Sequence, residues 1–215
     1  LVRSGNQPFP AVIFSFHARG SQPGWGIDDL GLSGGNSGNY LIVAPSAVGN
    51  GNVVNGSAQW IFDGPPETNP DVTLFEDLLA CLHQQIGLNI GRVSAAGFSA
   101  GGLFTSYLVM HRPQHLSAAA ILSGGMLDSM EYVAPSTHPA VMIGWGGASD
   151  TNYRWGQSVD PLYESSPYTH SFQLSSTDLA NRLDQNGMFV VRCNHGGGHT
   201  PGPVSYDPSR GGYVW

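Results

Sequence analysis

Short apolar segments alternate with amphipathic stretches along the chain, and this alternation predicts a parallel β-sheet flanked by helices. Continuous apolar runs predict buried strands, whereas apolar positions three and four residues apart predict helices. The predicted strands cover residues 11–16, 40–44, 92–96, 140–145 and 188–193. The predicted helices cover residues 71–86, 101–111 and 176–185, and residues 116–122 form a further apolar segment.

Residues 71–86 carry the clearest helical pattern. Apolar side chains recur there at the spacing of one helix face, at Val72, Phe75, Leu78, Leu79, Leu82 and Ile86. We expect Asp71 to cap this helix and Gly87 to end it. Residues 48–55 are rich in glycine and asparagine and are predicted to form a loop, and residues 205–215 are predicted to be irregular.

The 215 residues are predicted to form a single domain, residues 1–215. They contain no internal repeat and no linker rich in proline or serine. No apolar run reaches the roughly 18 residues of a membrane-spanning helix, so no membrane span is expected. The chain opens on Leu1-Val2-Arg3 without a signal peptide, which fits a mature or trimmed form.

The chain has no lysine, and its eight basic residues are all arginines. This excludes phosphate-binding loops of the GxxxxGK[ST] type, pyridoxal phosphate chemistry and acyl transfer by a Ser-x-x-Lys pair, which all need a lysine amine. The net charge is −7 and no basic cluster occurs, so a nucleic-acid partner is not expected. No His or Asp cluster has a recognisable metal-binding spacing, so no metal is expected.

Residues 97–101 read Gly-Phe-Ser-Ala-Gly, a G-x-S-x-G motif between a predicted strand and a predicted helix. In this context the motif indicates a nucleophile elbow that projects the Ser99 hydroxyl above the sheet. Glycines flank it because strand and helix approach too closely for a Cβ, and the Ala100 amide is expected to face a developing oxyanion. The alternatives are a catalytically silent Gly/Ser turn and a dinucleotide loop, although the G-x-G-x-x-G spacing is absent.

A serine nucleophile needs a base, and the base needs an orienting carboxylate. Asp150 follows the predicted strand 140–145, and His199 follows the predicted strand 188–193 in a glycine-rich loop. Ligands bind beyond the carboxyl ends of strands in open α/β sheets, so both residues are placed to meet Ser99. The order serine, acid, histidine is also the order found in α/β-hydrolases.

Three residues compete with this assignment. His195 lies closer to the strand end than His199, but three glycines before His199 let its loop fold back over the sheet. Asp160 and Asp178 compete with Asp150, although Asp178 is expected in the first turn of a helix, where acidic residues commonly lie.

The second oxyanion amide is expected in the loop after the first central strand, which reads His-Ala-Arg-Gly over residues 17–20. Ala18 and Arg19 are both candidates for that amide. His17 is interpreted as a hydrogen-bonded loop histidine without a role in proton transfer.

Four segments occur in an order that resembles one family: FHARG at 16–20, GFSAGG at 97–102, GASD at 147–150 and GGHTPG at 197–202. Together they resemble the secreted α/β-hydrolase esterases grouped as polyhydroxybutyrate depolymerases and feruloyl or acetylxylan esterases. The resemblance implies an α/β-hydrolase fold with a mostly parallel sheet, its amino-terminal strands missing or cut short. It implies a secreted or extracytoplasmic enzyme that cleaves a carboxylic ester, possibly polymeric, without a cofactor. Carried over, Ser99 is the nucleophile, Asp150 the acid and His199 the base.

Aromatic residues in or beside the predicted loops are candidates to stack on a phenolic acid or a polyester, or else to pack in the core. They are Trp25, Trp60, Trp145, Tyr153 and Trp155. Cys81 and Cys193 are predicted either to form one disulfide or to be two buried thiols. A peptidase of the same fold and a silent binding module are the alternative functions.

Overall fold

The computed structural model describes residues 2–4, 11–30, 40–49, 53–54, 57–153, 164–166, 169–202, 205–207 and 212–214. The strands are β1 (Val2–Ser4), β2 (Ala11–Phe16), β3 (Tyr40–Val43), β4 (Val53–Val54), β5 (Ser57–Ala58), β6 (Val93–Phe98), β7 (Ala118–Leu122), β8 (Ala140–Trp145), β9 (Thr151–Tyr153), β10 (Glu164–Ser166), β11 (Thr169–Ser171), β12 (Val190–Asn194), β13 (Ser205–Asp207) and β14 (Gly212–Val214). The helices are α1 (Pro23–Asp29), α2 (Pro70–Ile86), α3 (Ala100–His111) and α4 (Phe172–Gln185).

One seven-stranded sheet organises the described part of the chain, in the order β1-β3-β2-β6-β7-β8-β12. The last six strands in this order run parallel, and β1 pairs with β3 in the antiparallel direction. Parallel neighbours need crossover connections, and α2, α3 and α4 lie in those connections. The predicted parallel sheet is therefore confirmed, and the carboxyl ends of its strands share one edge.

Helix α3 is the most deeply buried helix, since every residue from 100 to 110 is buried. It packs on β6, β7 and β2, so it needs no polar face. An aromatic cluster fills the neighbouring core: Trp60 stacks on Phe104 with ring centroids 4.9 Å apart, and Phe16 meets both rings edge-on. None of the described helices is both long enough and apolar enough to cross a membrane.

The start of α2 differs from the prediction. Asn69, not Asp71, caps the helix, because its side-chain oxygen accepts hydrogen bonds from the backbone N–H groups of residues 71 and 72. The Asp71 carboxylate instead accepts N–H donors from Val48, Gly49 and Ile61 at 2.6, 3.2 and 2.8 Å. Gly87 ends the helix in the left-handed conformation, as predicted.

Several predicted boundaries are also corrected. Helix α4 begins four residues before the predicted start at residue 176, because Ser171 accepts a hydrogen bond from the N–H of Leu174 and caps it there. The apolar segment 116–122 contains strand β7. Short strands lie where loop or irregular structure was predicted: β4 lies within residues 48–55, and β13 pairs with β14 within residues 205–215.

The two cysteines are free, so the possible disulfide between Cys81 and Cys193 is wrong. Helix α2 packs on β2 through Phe75 and Phe14, whose ring centroids are 4.8 Å apart, whereas Cys193 lies on β12. Four strand spacings of about 4.8 Å separate β2 from β12, far beyond the roughly 7 Å that a disulfide allows between Cα atoms. Cys81 is exposed, so the alternative of two buried thiols is wrong as well.

Candidate active site

Ser99 lies on a sharp turn between β6 and α3. Its backbone dihedrals are φ 56° and ψ −120°, an unusual conformation for a residue with a side chain. A Cβ at Gly97 would collide with the carbonyl oxygen of Gly101, and a Cβ at Gly101 would collide with that of Phe16. The two glycines therefore let the strand, the elbow and the helix come together, as the motif predicted.

Asp150 is fully buried at the end of a 3-10 turn, Gly147–Ser149, that follows β8. Its Oδ2 atom accepts the N–H of Gly146 at 2.7 Å and the hydroxyl of Ser123 at 2.8 Å. A buried carboxylate needs such donors to offset the loss of water. The acid is therefore held in one orientation, with Oδ1 directed to the histidine loop.

His199 connects this acid to the serine. Its Nδ1 lies 2.8 Å from Oδ1 of Asp150, and its Nε2 lies 3.0 Å from Oγ of Ser99. Because the carboxylate can only accept, the proton of the neutral ring belongs on Nδ1, which leaves Nε2 to accept the serine proton. The imidazole is 20% exposed, so it borders the cleft and is not sealed in the core.

Close backbone packing joins the acid loop to the histidine loop. The N–H of Gly198 donates to the carbonyl of Gly146 at 2.9 Å, and a Cβ at Gly146 would collide with the Gly198 carbonyl oxygen. On the sides of the His199 ring lie two aromatic rings, Phe172 with its centroid at 4.5 Å and Phe98 with its centroid at 4.9 Å. The glycine-rich sequence therefore serves a specific contact between two loops.

The described residues that competed with His199 and Asp150 in the sequence analysis take no part in the contacts of the triad. The N–H of His195 donates to the Trp145 carbonyl, and its Nδ1 accepts the N–H of Gly197 at 3.1 Å. Asp178 accepts from Arg182 at 2.9 Å one turn further along α4, and because that helix starts at Phe172 the predicted first-turn position is wrong. Asp160 lies outside the described residues.

The loop after β2 lies against the elbow, because Gly101 meets the backbone of Phe16 and His17. His17 fixes this loop: its Nδ1 lies 2.9 Å from the Ala18 carbonyl, and its Nε2 accepts the N–H of Ala47 at 3.3 Å. Trp60 donates its indole N–H to the His17 carbonyl at 2.9 Å. These contacts bring the loop that contains Ala18 and Arg19 next to the start of α3, where the Ala100 amide lies; the Arg19 side chain is exposed.

Two buried titratable groups, His17 and Asp71, hold the neighbouring segment 47–49 by hydrogen bonds. Burial lowers the pKa of His17, while the hydrogen bond to Ala18 and the charge of Asp71 act in the opposite direction. A neutral imidazole agrees with its bonding, because a proton on Nε2 would face the Ala47 N–H. Burial raises the pKa of Asp71, partly offset by its three backbone donors and by His17.

The predicted substrate-stacking residues are only partly described. Trp145 belongs to the hydrophobic core and is 9% exposed, so its expected place in the cleft is wrong. It shares the inner face of β8 with Val141 and Ile143, because side chains alternate along a strand. Trp60 is also core. Trp25 lies in α1 and Tyr153 in β9, with their side chains undescribed, and Trp155 lies outside the described residues.

The sequence interpretation missed Ser123 and Phe172. Ser123 follows β7 and precedes Gly124 and Gly125, the same placement of a polar residue beside glycines after a strand that marks Asp150 and His199. That pattern was a usable signal for Ser123. Phe172 had no comparable signal, since it resembles any core aromatic residue. Within the described residues, no group of three His, Cys, Asp or Glu side chains is placed to hold a metal ion.

Among curated proteins, the chain is distantly similar to a feruloyl esterase. Feruloyl esterase D of Neurospora crassa is 25% identical over 162 residues, which cover 69% of this chain and 55% of that protein. The chain thus spans about half the length of this curated relative. No protein-family model matches the chain.

Solved structures resemble the chain over nearly its whole length. Esterase PE8 has a TM-score of 0.66 at 19% identity, covering 98% of this chain and 94% of that one. A carboxylesterase from Mesorhizobium loti has a TM-score of 0.63 at 17% identity, covering 94% of this chain and 85% of that one. A phospholipase/carboxylesterase from Dyadobacter fermentans has a TM-score of 0.59 at 16% identity, covering 95% and 89%. Together with the sheet order and the elbow, these neighbours show that the chain has the α/β-hydrolase fold.

Proposed function

We propose that this protein is a carboxylic-ester hydrolase that works through an acyl-enzyme on Ser99. The observation that carries the proposal is the continuous path from Asp150 through His199 to Ser99, with hydrogen-bond distances of 2.8 and 3.0 Å. A base in contact with the hydroxyl and an acid in contact with the base are what a serine nucleophile requires. The names of the structural neighbours and of the curated relative agree with this chemistry.

In the acylation step, Oγ of Ser99 attacks the ester carbonyl carbon while its proton passes to Nε2 of His199. Asp150 stabilises the imidazolium that forms, and the carbonyl oxygen becomes an oxyanion. The tetrahedral intermediate then collapses: the bond to the leaving oxygen breaks, and His199 gives its proton to that oxygen. An alcohol leaves and the acyl group stays on Ser99.

In the deacylation step, water takes the place of the alcohol. His199 accepts a proton from the attacking water, and the second intermediate collapses to release the acid and return the proton to Ser99. Each oxyanion is stabilised by the Ala100 N–H at the start of α3 and by an N–H of the neighbouring loop, at Ala18 or Arg19. Backbone amides fixed before the reaction stabilise such charge without reorganisation.

The substrate class proposed here is a polyester or a plant cell-wall ester, such as a feruloyl or acetyl ester. Supporting features are the name of the curated relative, the low charge of the chain, with 11% charged residues, and the resemblance of its site motifs. An uncharged, poorly soluble substrate needs no cationic binding residues, which fits a chain without lysine. An extracytoplasmic location is part of the same proposal.

The test is hydrolysis of p-nitrophenyl acetate by the wild type, Ser99→Ala and a matched control, Ser106→Ala. Ser106 is a buried serine of α3 whose hydroxyl donates to the Gly102 carbonyl at 3.0 Å. We expect turnover by the wild type and the control, and none above background by Ser99→Ala. Equal turnover by wild type and Ser99→Ala, or none by the folded wild type, refutes the proposal.

A substrate panel then tests the finer assignment. Polyhydroxybutyrate film, methyl ferulate, acetylated xylan, short acyl esters and a peptide anilide are compared by kcat/KM. We expect the highest value for one of the first three. Preference for the anilide would indicate a peptidase, and preference for the short acyl esters would contradict the proposed substrate class.

A further inference from the structure

We propose that Phe172 is a positioning residue that holds the imidazole of His199 in its reactive orientation. The proposal rests on the proposed ester hydrolysis, because it assigns Phe172 a task in that reaction. Phe172 is the first residue of α4 and is completely buried. Its ring stacks on that of His199, so its effect would act through His199.

The contact is a stack of two rings. The ring centroids of Phe172 and His199 are 4.5 Å apart and their planes differ by 19°. Phe98 provides a second aromatic contact, with centroids 4.9 Å apart and planes 35° apart. The hydrogen bond from the Gly198 N–H to the Gly146 carbonyl holds the backbone before His199, but it does not fix the rotation of the imidazole. The ring contacts restrain the imidazole itself.

The first turn of α4 is itself tied to the acid side of the site. The backbone N–H of Phe172 donates to the Asp150 carbonyl at 3.0 Å. The hydroxyl of Ser175 donates to the Gly124 carbonyl at 3.0 Å and accepts from Nε2 of His170 at 3.1 Å. The His170 ring also meets Phe172 edge-on at 4.7 Å. Phe172 thus lies in a helical turn that is fixed by hydrogen bonds and that also contacts Asp150.

The stack has a consequence for the chemistry. When His199 takes the serine proton it becomes a cation, and a cation over an aromatic face is attracted to the ring electrons. Asp150 contacts Nδ1 and Ser99 contacts Nε2, and the Phe172 ring stacks on the imidazole itself. The attraction exists in the transition state and not with the neutral ring, so its loss should lower kcat more than it raises KM.

The experiment compares Phe172→Leu with Phe75→Leu, a matched control. Phe75 is 1% exposed and its ring contacts those of Phe14 and His115, so its truncation removes similar packing. Both are assayed with p-nitrophenyl acetate beside the wild type and Ser99→Ala, at a temperature where each variant is folded. We expect Phe172→Leu to lose about tenfold in kcat with KM within about twofold, and Phe75→Leu to keep its kcat.

The two proposals fail in different ways in this assay. If the wild type is no faster than Ser99→Ala, the proposed function is wrong. If the wild type is active and the two leucine variants have the same kcat, only the assignment of Phe172 is wrong. A kcat loss that merely follows the folded fraction of Phe172→Leu also overturns the assignment.

A measurement on the intact protein covers the case in which Phe172→Leu does not fold. The carbon-bound imidazole protons of His199 are identified as the proton NMR signals missing from His199→Gln. A ring stacked on their face should move them upfield of the signals of exposed histidines. Signals at the positions of exposed histidines would overturn the proposal.

Discussion

Replacing Ser123 tests how much the hydrogen bond that orients Asp150 contributes to catalysis, while the three triad residues stay unchanged. Its hydroxyl donates to Oδ2 of Asp150 at 2.8 Å, in a fully buried environment. Ser123 also has a φ of 42°, in the left-handed region that glycine adopts freely. Two variants therefore separate the hydroxyl from the backbone: Ser123→Ala removes only the hydroxyl, and Ser123→Gly removes the hydroxyl and relieves the backbone.

The expected loss of kcat follows from the hydrogen bonds that Asp150 keeps when the Ser123 hydroxyl is removed. A hydrogen bond to a charged group contributes about 1.5–3 kcal/mol. Since the Gly146 N–H still donates to the same oxygen at 2.7 Å, we take the lower end, about 1.5 kcal/mol. If this orientation is needed in the transition state, kcat falls about tenfold. Glycine also avoids the free-energy cost of roughly 1 kcal/mol that a side chain has in the left-handed region. Ser123→Gly is therefore expected to be more stable than Ser123→Ala, although both variants lack the hydroxyl.

The assay is kcat for p-nitrophenyl acetate, with urea denaturation of each variant in parallel. We expect both variants to lose about tenfold in kcat, although their stabilities differ. A kcat within twofold of the wild type in either variant would refute the reasoning. A loss confined to Ser123→Gly would show that the backbone conformation, and not the hydroxyl, matters.

Three further predictions concern the histidines and the loop contact. His199→Ala should lower kcat about 10³-fold or more while His195→Ala stays mild; the reverse order would contradict the roles given to them. The unfolding free energy should fall as the pH drops from 7.5 to 5.5, because burial lowers the pKa of His17 and the unfolded chain then takes up a proton that the folded chain does not. Urea denaturation at several pH values measures this dependence, to which His17 contributes at most about 1.4 kcal/mol per pH unit. The dependence should be weaker in His17→Gln, and the same pH dependence in that variant would contradict the prediction. Gly146→Ala should lose activity, because its Cβ would collide with the Gly198 carbonyl oxygen, and wild-type kcat in this variant would show that the two loops can separate freely.

The spatial arrangement of Ser99, Asp150 and His199 could be predicted because each follows a strand and lies beside glycines. Strand ends in a parallel sheet meet at one edge, so local signals distant in sequence become neighbours in space. The same rule would have identified Ser123. The pattern does not by itself distinguish Ser123 from a turn residue, because a serine before two glycines also suits an ordinary turn.

The position of Trp145 could also have been predicted. Alternate residues of a strand share a face, and Trp145 has the parity of Val141 and Ile143, which are apolar and buried. Its place near the end of β8 suggested a position in the cleft, but parity decides the direction of its side chain.

Asn69 could have been identified as the cap of α2, because the proline that follows it is typical of the first helical position. The hydrogen bonds of the Asp71 carboxylate could not, because its three N–H donors come from residues outside the helix. The start of α4 is similar, because Ser171 is a good cap and no local signal shows that Phe172 belongs under His199. The separation of the two cysteines depends on the strand order, which the hydrophobic pattern leaves open.

Covalent labelling tests the central claim most directly. A fluorophosphonate transfers its phosphonyl group to an activated serine and releases fluoride, so the adduct reports the nucleophile itself. We expect intact-mass analysis to show one phosphonyl group per chain, peptide mapping to place it on Ser99, and His199→Ala to slow the labelling strongly. A folded, unlabelled wild type, or a label on any residue other than Ser99, would contradict the account.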